Sequence, residues 1–190
     1  MDPVRVDNVL NEEELSMLLS YIDSTKHLHE NHPNLGRTFF HLIDLPDVLV
    51  DKITSIAKEK TKKNIKMTGR AFSTYTNKVG KPELAPHTDI NDTFYIFDYQ
   101  VSSNIDWPVI VEGVNYQLSD NSALIFSGKE LVHWRPKKIF KDEEFLSMIF
   151  FHFIDLDDLE SGRIYTDEEI SLQIEKIMKK YSFYFEGNKG

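Results

Sequence analysis

His87, Thr88 and Asp89, in the stretch ELAPHTDIN, place an imidazole and a carboxylate two positions apart. On extended chain, side chains two apart point to the same side, so this pair can offer two ligands to one ion. A facial set of two histidines and one carboxylate needs a third ligand from elsewhere in the chain. It leaves the opposite coordination face open to other reactants. His27, His29, His32, His41, His133 and His152 are the histidines that could complete it. The chain has no cysteine, so a transition metal here must use His, Asp or Glu. His27, His29 and His32 lie in HLHENH, a polar stretch that reads as a solvated surface loop. His152 lies in FFHFID, an almost continuous apolar run, and reads as a hydrogen-bonded core or pocket residue. Asp155 and the following DLDDLESG lack the spacing of a calcium loop and read as an acidic turn.

The elements that must position these groups follow from periodicity. LNEEELSMLLSYIDS has Asn11 as an N-cap, Glu14 three residues on, and Leu15, Leu18, Leu19 and Ile22 at helical spacing. TFFHLIDLP reads as a short strand closed by Pro46. PDVLVDKITSIAKEKTKKN is a second helix, with Val48, Ile53 and Ile56 on one side and its lysines near the C-terminal end, where they complement the helix dipole. From Gly69 to Asp155 the pattern becomes a series of short β-rich runs: RAFSTYT, TFYIFDYQ, PVIVEG, VNYQL, SALIFSG, LVHWR and FLSMIFFHFID, separated by turn signals. So many short strands imply a barrel or a two-sheet jelly roll. Thr166 then caps DEEISLQIEKIMKKY, a third amphipathic helix. The expected organisation is a single domain over 1–190: a helical N-terminal buttress over about 8–66, a jelly-roll core over about 68–155, and a C-terminal helix over about 166–181. The fold class is mainly β with flanking helices, which are expected to buttress one face of the core.

At 190 residues, 41% hydrophobic and 28% charged, the chain has the composition of a globular protein with a core to bury. A formal charge of −9 offers no general attraction to nucleic acid or to an anionic membrane. No basic region followed by an apolar run opens the chain, and no segment approaches the ~20 apolar residues of a membrane span. The expectation is a soluble cytoplasmic protein without nucleic-acid or membrane partners. Trp107 and the nearby Tyr95 and Tyr99 are candidates for an aromatic wall at the mouth of the barrel, whereas Trp134 should face away from His133 and serve packing.

The order H-x-D, strands, the SALIFSG strand, His133 within GKELVHWRP, and the aromatic strand FFHFID resembles the double-stranded β-helix (jelly-roll, cupin-like) core of iron(II)- and 2-oxoglutarate-dependent dioxygenases. The likeness covers roughly Thr68 to Asp155. It is greatest to a prolyl-4-hydroxylase-like branch with a His-Trp-Arg motif. This resemblance implies that His87, Asp89 and His133 hold Fe(II). It also implies that Tyr75, in STYTNKVGKPELAPHTD, touches 2-oxoglutarate, and that the reaction yields succinate, carbon dioxide and a hydroxylated small molecule, peptide or protein side chain, with ascorbate as an accessory reductant.

One departure from the family pattern bears on the co-substrate. Relatives usually carry an Arg or Lys on the strand after the distal histidine to pair the far carboxylate of 2-oxoglutarate. The matching strand here, EFLSMIFFHF, has neither. Arg135 is the best substitute, since it shares the inward face with His133 in extended chain. Lys141 is second and Arg70 third. A cupin-type metal enzyme that does not use 2-oxoglutarate, or a jelly-roll binding module without turnover, would share the same framework.

Overall fold

The computed structural model describes residues 1–89, 93–158 and 160–186. Ile90 and Asn91 of the H-x-D stretch and Leu159 of the acidic turn lie outside the described residues.

In chain order the elements are β1 (Val4–Val6), α1 (Glu12–Ser24), β2 (Glu30–His32), β3 (Arg37–His41), α2 (Asp47–Thr61), β4 (Ile65–Tyr75), β5 (Tyr95–Ser103), β6 (Val109–Val111), β7 (Val114–Tyr116), β8 (Ser122–Ser127), β9 (His133–Trp134), β10 (Leu146–Asp155), α3 (Asp167–Lys180) and α4 (Ser182–Glu186). A seven-stranded sheet has the order β1-β8-β5-β10-β4-β3-β2, and a three-stranded sheet has the order β7-β6-β9. Pairing is antiparallel throughout both sheets. This is a mainly β jelly roll with flanking helices. Each of the seven expected β runs forms a strand. The large sheet also takes in β1, β2 and β3, which precede the expected core.

The middle strands show why their sequences do not alternate. β10 lies between β4 and β5. It sends Ile149, Phe151 and Phe153 into a core shared with α1 and α2, and Leu146 and Met148 into a second core between the sheets. Both faces of the strand are covered, so both are apolar. β5 divides in the same way. Tyr95, Phe97, Tyr99 and Val101 join the helix-covered core, and Ile96 joins the inter-sheet core. Asp98, two positions after Ile96, therefore falls on the inward face.

The helix termini are read correctly from sequence. Asn11 and Glu14 form a reciprocal capping box at α1, and Thr166 and Glu169 form one at α3. Their buried faces are only partly so. Leu18 and Ile22 of α1 are buried, but Leu19 is 45% exposed. In α2 the buried ridge is Leu49, Ile53, Ala57 and Thr61, spaced by four, and Val48 of the expected face points to solvent. The helices also do not share one face. α1 and α2 cover the outer side of the large sheet, whereas Ile177 and Tyr181 at the end of α3 pack with Val132 and Trp134 beside the small sheet. Among the described residues no helix is long and apolar enough to cross a membrane.

Candidate metal centre

The segment carrying His87 is fastened to β9 as an extra strand of the small sheet. His87 and His133 exchange backbone hydrogen bonds in both directions, at 3.1 and 2.8 Å, and the Arg135 N–H donates to the Leu84 carbonyl at 3.0 Å. One residue pair later the chain crosses to the end of β8, where the Asp89 N–H donates to the Gly128 carbonyl at 2.8 Å. The intervening Thr88 turns the other way, and its hydroxyl accepts a hydrogen bond from the Gln173 amide of α3. The arm is thus held from three sides. β9 is itself anchored by Glu112, whose carboxylate accepts from the Val132 N–H at 2.8 Å and from Lys180 at 2.9 Å. Glu112 and Gly113 occupy the tight β6–β7 turn with φ of 47° and 87°, which left-handed turn geometry requires.

Among the described residues, His87, Asp89 and His133 are the one group of three or more such side chains whose potential ligand atoms gather, all within 4.8 Å of one another. The Asp89 Oδ1 lies 3.9 Å from His87 Nε2 and 3.8 Å from His133 Nε2. In both rings the other nitrogen faces a carbonyl: His87 Nδ1 is 2.8 Å from the Ala85 oxygen, and His133 Nδ1 is 3.0 Å from the Leu131 oxygen. A carbonyl only accepts, so Nδ1 carries the proton and the Nε2 lone pair points to the shared centre. Burial pushes the His133 pKa down to about 4, with His87 adding to the effect, so the ring is neutral near pH 7. The Asp89 Oδ2 is buried and has no hydrogen-bond partner in the protein. A divalent cation suits this set: two imidazoles presenting Nε2 and a carboxylate with an unspent oxygen.

Gly128 is a residue that motif reading missed. A Cβ there would overlap the Asp89 carboxylate and touch Ile96. The SG of SALIFSG is thus where the β8 backbone makes room for the ligand arm, a requirement visible only once Asp89 is in place.

A cavity of about 220 Å3 opens onto the three side chains. Its wall includes Arg37, His41, Arg70, Tyr75, Asp98 and His152. His152 is therefore a pocket residue, on the inward face of β10. Tyr75 is fully buried at the end of β4 and stacks edge-on against Trp107. Trp107 is buried too, and donates its ring N–H to the Pro136 carbonyl at 2.7 Å, so it backs Tyr75 instead of standing at an open mouth. Tyr95 and Tyr99 face the helices. Trp134 packs on Tyr181, away from His133.

The three basic candidates fall in different places. Arg135 is 2% exposed, donates to the Trp107 carbonyl and lies over the Trp107 ring; its other amino group meets Met148 Sδ at 3.7 Å. It is not among the lining residues, but its charge faces Tyr75 and Asp98, which are. Arg70 is on the wall with its guanidinium bound to the Leu42 and Ile43 carbonyls. Lys141 is exposed in the connection between β9 and β10, outside the cavity lining. His29 of the polar HLHENH stretch stacks on Phe40 and Phe72.

Asp98 is the unexpected acid. It is buried on the cavity wall, its Oδ1 has no partner, and burial pushes its pKa up to about 7 against the opposing pull of Arg135. A raised carboxyl pKa means that the folded state holds a proton that the unfolded state releases. Stability from this group is therefore full at low pH and is lost as pH rises from about 4 to about 7. In metal-free protein, Asp98→Asn should gain stability relative to wild type across that window, by roughly 1–3 kcal/mol at its upper end. Urea denaturation of both proteins at several pH values measures the difference, and a difference independent of pH would refute the assignment.

In sequence, no known family and no curated protein matches the chain. Solved structures do match in shape. AviO1 from Streptomyces viridochromogenes Tue57 superposes with a TM-score of 0.65 at 13% identity, over 86% of this chain and 92% of that one. EctD from S. alaskensis, solved with 2-oxoglutarate and 5-hydroxyectoine, gives 0.63 at 10% identity over 86% and 74%. The viral collagen prolyl hydroxylase of Paramecium Bursaria Chlorella virus-1, solved with 2-oxoglutarate, gives 0.58 at 10% identity over 80% and 94%. The fold is that of the 2-oxoglutarate/iron(II) oxygenases. In this oxygenase fold the large sheet, with β4, β10, β5 and β8 at its centre, and the small sheet with its added H-x-D arm enclose the cavity between them.

Proposed function

We propose that the protein is a non-haem iron(II)- and 2-oxoglutarate-dependent dioxygenase, most simply a hydroxylase acting on a small molecule or on a peptide or protein side chain. The observation that carries this reading is the convergence of His87, Asp89 and His133, with both imidazoles fixed as Nε2 donors, at the mouth of a small cavity in an oxygenase fold. Iron(II) held by these three residues would supply the redox chemistry by which dioxygen, 2-oxoglutarate and a substrate C–H bond become succinate, carbon dioxide and an alcohol. The protein's part is to hold the two rings and the carboxylate in a facial set, keep the cavity walled from bulk water, and orient the co-substrate through Tyr75 and a neighbouring arginine. Ascorbate would serve only to restore the reduced metal.

A second reading, a metal enzyme using a different organic acid, is favoured by β10, whose sequence LSMIFFHFID offers no Arg or Lys to a second carboxylate. Anaerobic titration of iron(II)-loaded protein with 2-oxoglutarate separates the two. A weak visible charge-transfer band that is absent in His133→Ala supports the dioxygenase. Iron bound with no band at any 2-oxoglutarate concentration supports the alternative.

A further inference from the structure

Relatives are expected to pair the far carboxylate of the co-substrate from the strand after the distal histidine, but β10 carries Leu146, Met148 and Phe150 at its inward positions there. The charge must come from another element. The side chain best placed to receive such a carboxylate is Tyr75, and two arginines stand near it: Arg135, from the residue after β9, and Arg37, from β3.

Their donors are committed differently. Arg135 donates to the Trp107 carbonyl and contacts Met148 Sδ, and its charge faces the wall residues Tyr75 and Asp98 without itself lining the cavity. Arg37 is part of that wall. It sits directly across from Tyr75 in the β3–β4 register, and its Nη1 donates to the Tyr75 hydroxyl oxygen at 2.9 Å. Its guanidinium lies 5.6 Å from the centre of the Tyr75 ring and 5.4 Å from that of Phe39. Its Nε is buried without an acceptor, and among the described residues no carboxylate forms an ion pair with it.

We infer that Arg37, acting with Tyr75, is the seat for the far carboxylate of 2-oxoglutarate. Because Arg37 already donates to the Tyr75 oxygen, the phenol's own proton is directed elsewhere, and the positive charge strengthens it as a donor. A carboxylate has two oxygens. One can accept from the Tyr75 O–H and the other from the remaining guanidinium donors, a geometry suited to the planar fork of arginine.

The position of Arg37 is built, not incidental. The turn before β3 passes through Gly36 at φ 56°, with its Cα packed against the Lys81–Pro82 backbone, where no Cβ would fit. The Thr76 N–H donates to the Gly36 carbonyl at 3.0 Å, locking the start of β3 to the end of β4. The chain leading to the H-x-D arm therefore also sets the arginine.

The inference rests on the 2-oxoglutarate reading, and its test separates the two. Dissociation constants of 2-oxoglutarate and of 2-oxopentanoate, which has a methyl group in place of the far carboxylate, are measured anaerobically on iron(II)-loaded wild type, Arg37→Gln, Arg37→Lys and Arg135→Gln. Arg37→Gln should weaken 2-oxoglutarate by roughly 10- to 100-fold, the scale of a lost charge-assisted hydrogen bond, and leave 2-oxopentanoate unchanged. Arg37→Lys, which keeps the charge and loses the fork, should weaken 2-oxoglutarate less, and it decides the matter if the glutamine variant does not fold. Wild-type preference for 2-oxoglutarate in the folded Arg37 variants, or its collapse in Arg135→Gln instead, would overturn the inference. Failure of the iron-loaded wild type to bind either acid would overturn the dioxygenase reading and this inference with it.

Discussion

Asp89→Ala should abolish the iron(II)-dependent stabilisation expected of the wild-type protein while leaving the metal-free protein as stable as before. Asp89 is the single carboxylate of the cluster, and its Oδ2 is buried without a partner. In the absence of metal, that oxygen is a cost, so its removal should not lower the melting temperature. With metal, the loss of a direct ligand should exceed the roughly 10–100-fold drop in affinity typical of losing an outer hydrogen-bond partner. Wild type in iron(II) at about 100 times its dissociation constant should gain roughly 2.7 kcal/mol, and the variant should gain almost nothing at the same concentration. Thermal unfolding with and without iron(II), under anaerobic conditions, reads both quantities. An equal iron-dependent shift in the two proteins would remove Asp89 from the metal centre.

The second large effect is expected at a residue without functional groups. Gly128→Ala places a methyl group where the Asp89 carboxylate lies, with Ile96 close on another side. The small sheet holds the arm through His87 and His133, and the Asp89 N–H is bonded to the Gly128 carbonyl itself, so neither side can easily move. Relief must come from swinging the Asp89 side chain off the shared centre. The variant should therefore lose iron(II) affinity nearly as fully as Asp89→Ala, with about 1–3 kcal/mol of stability lost to overpacking. Because the clash is with the Asp89 side chain, the double variant Gly128→Ala/Asp89→Ala should be more stable than Gly128→Ala alone, a non-additive result expected of residues in direct contact. Strict additivity of the two substitutions would show that the methyl group is accommodated in some other way.

These two residues also show how far the site was legible. Asp89 could be singled out because strand period and side-chain chemistry are local: His87 and Asp89 share a side wherever the segment is extended. Gly128 could not be, since its role depends on which strand the arm crosses. The seat proposed at Arg37 depends on tertiary structure for the same reason. In sequence Arg37 ends a polar stretch just before the expected strand TFFHLIDLP, and nothing nearby marks it. Only the β3–β4 register puts it opposite Tyr75. Arg135 was chosen on strand alternation from His133. Packing between the sheets buries it with its donors on the Trp107 carbonyl and Met148 Sδ, beside the wall residues Tyr75 and Asp98.

By itself, the sequence determined part of the framework: the capping boxes at Asn11 and Thr166, the seven strand runs of the core, and the H-x-D pair as a potential metal arm. Each depends on interactions within a few residues, where period, capping and turn chemistry act. Tertiary structure alone decided which helix faces are buried, that α3 covers a different side from α1 and α2, and which wall residues surround the His87, Asp89 and His133 cluster. Those outcomes depend on sheet register and on the packing of segments far apart in the chain, and no local pattern of residue types encodes either.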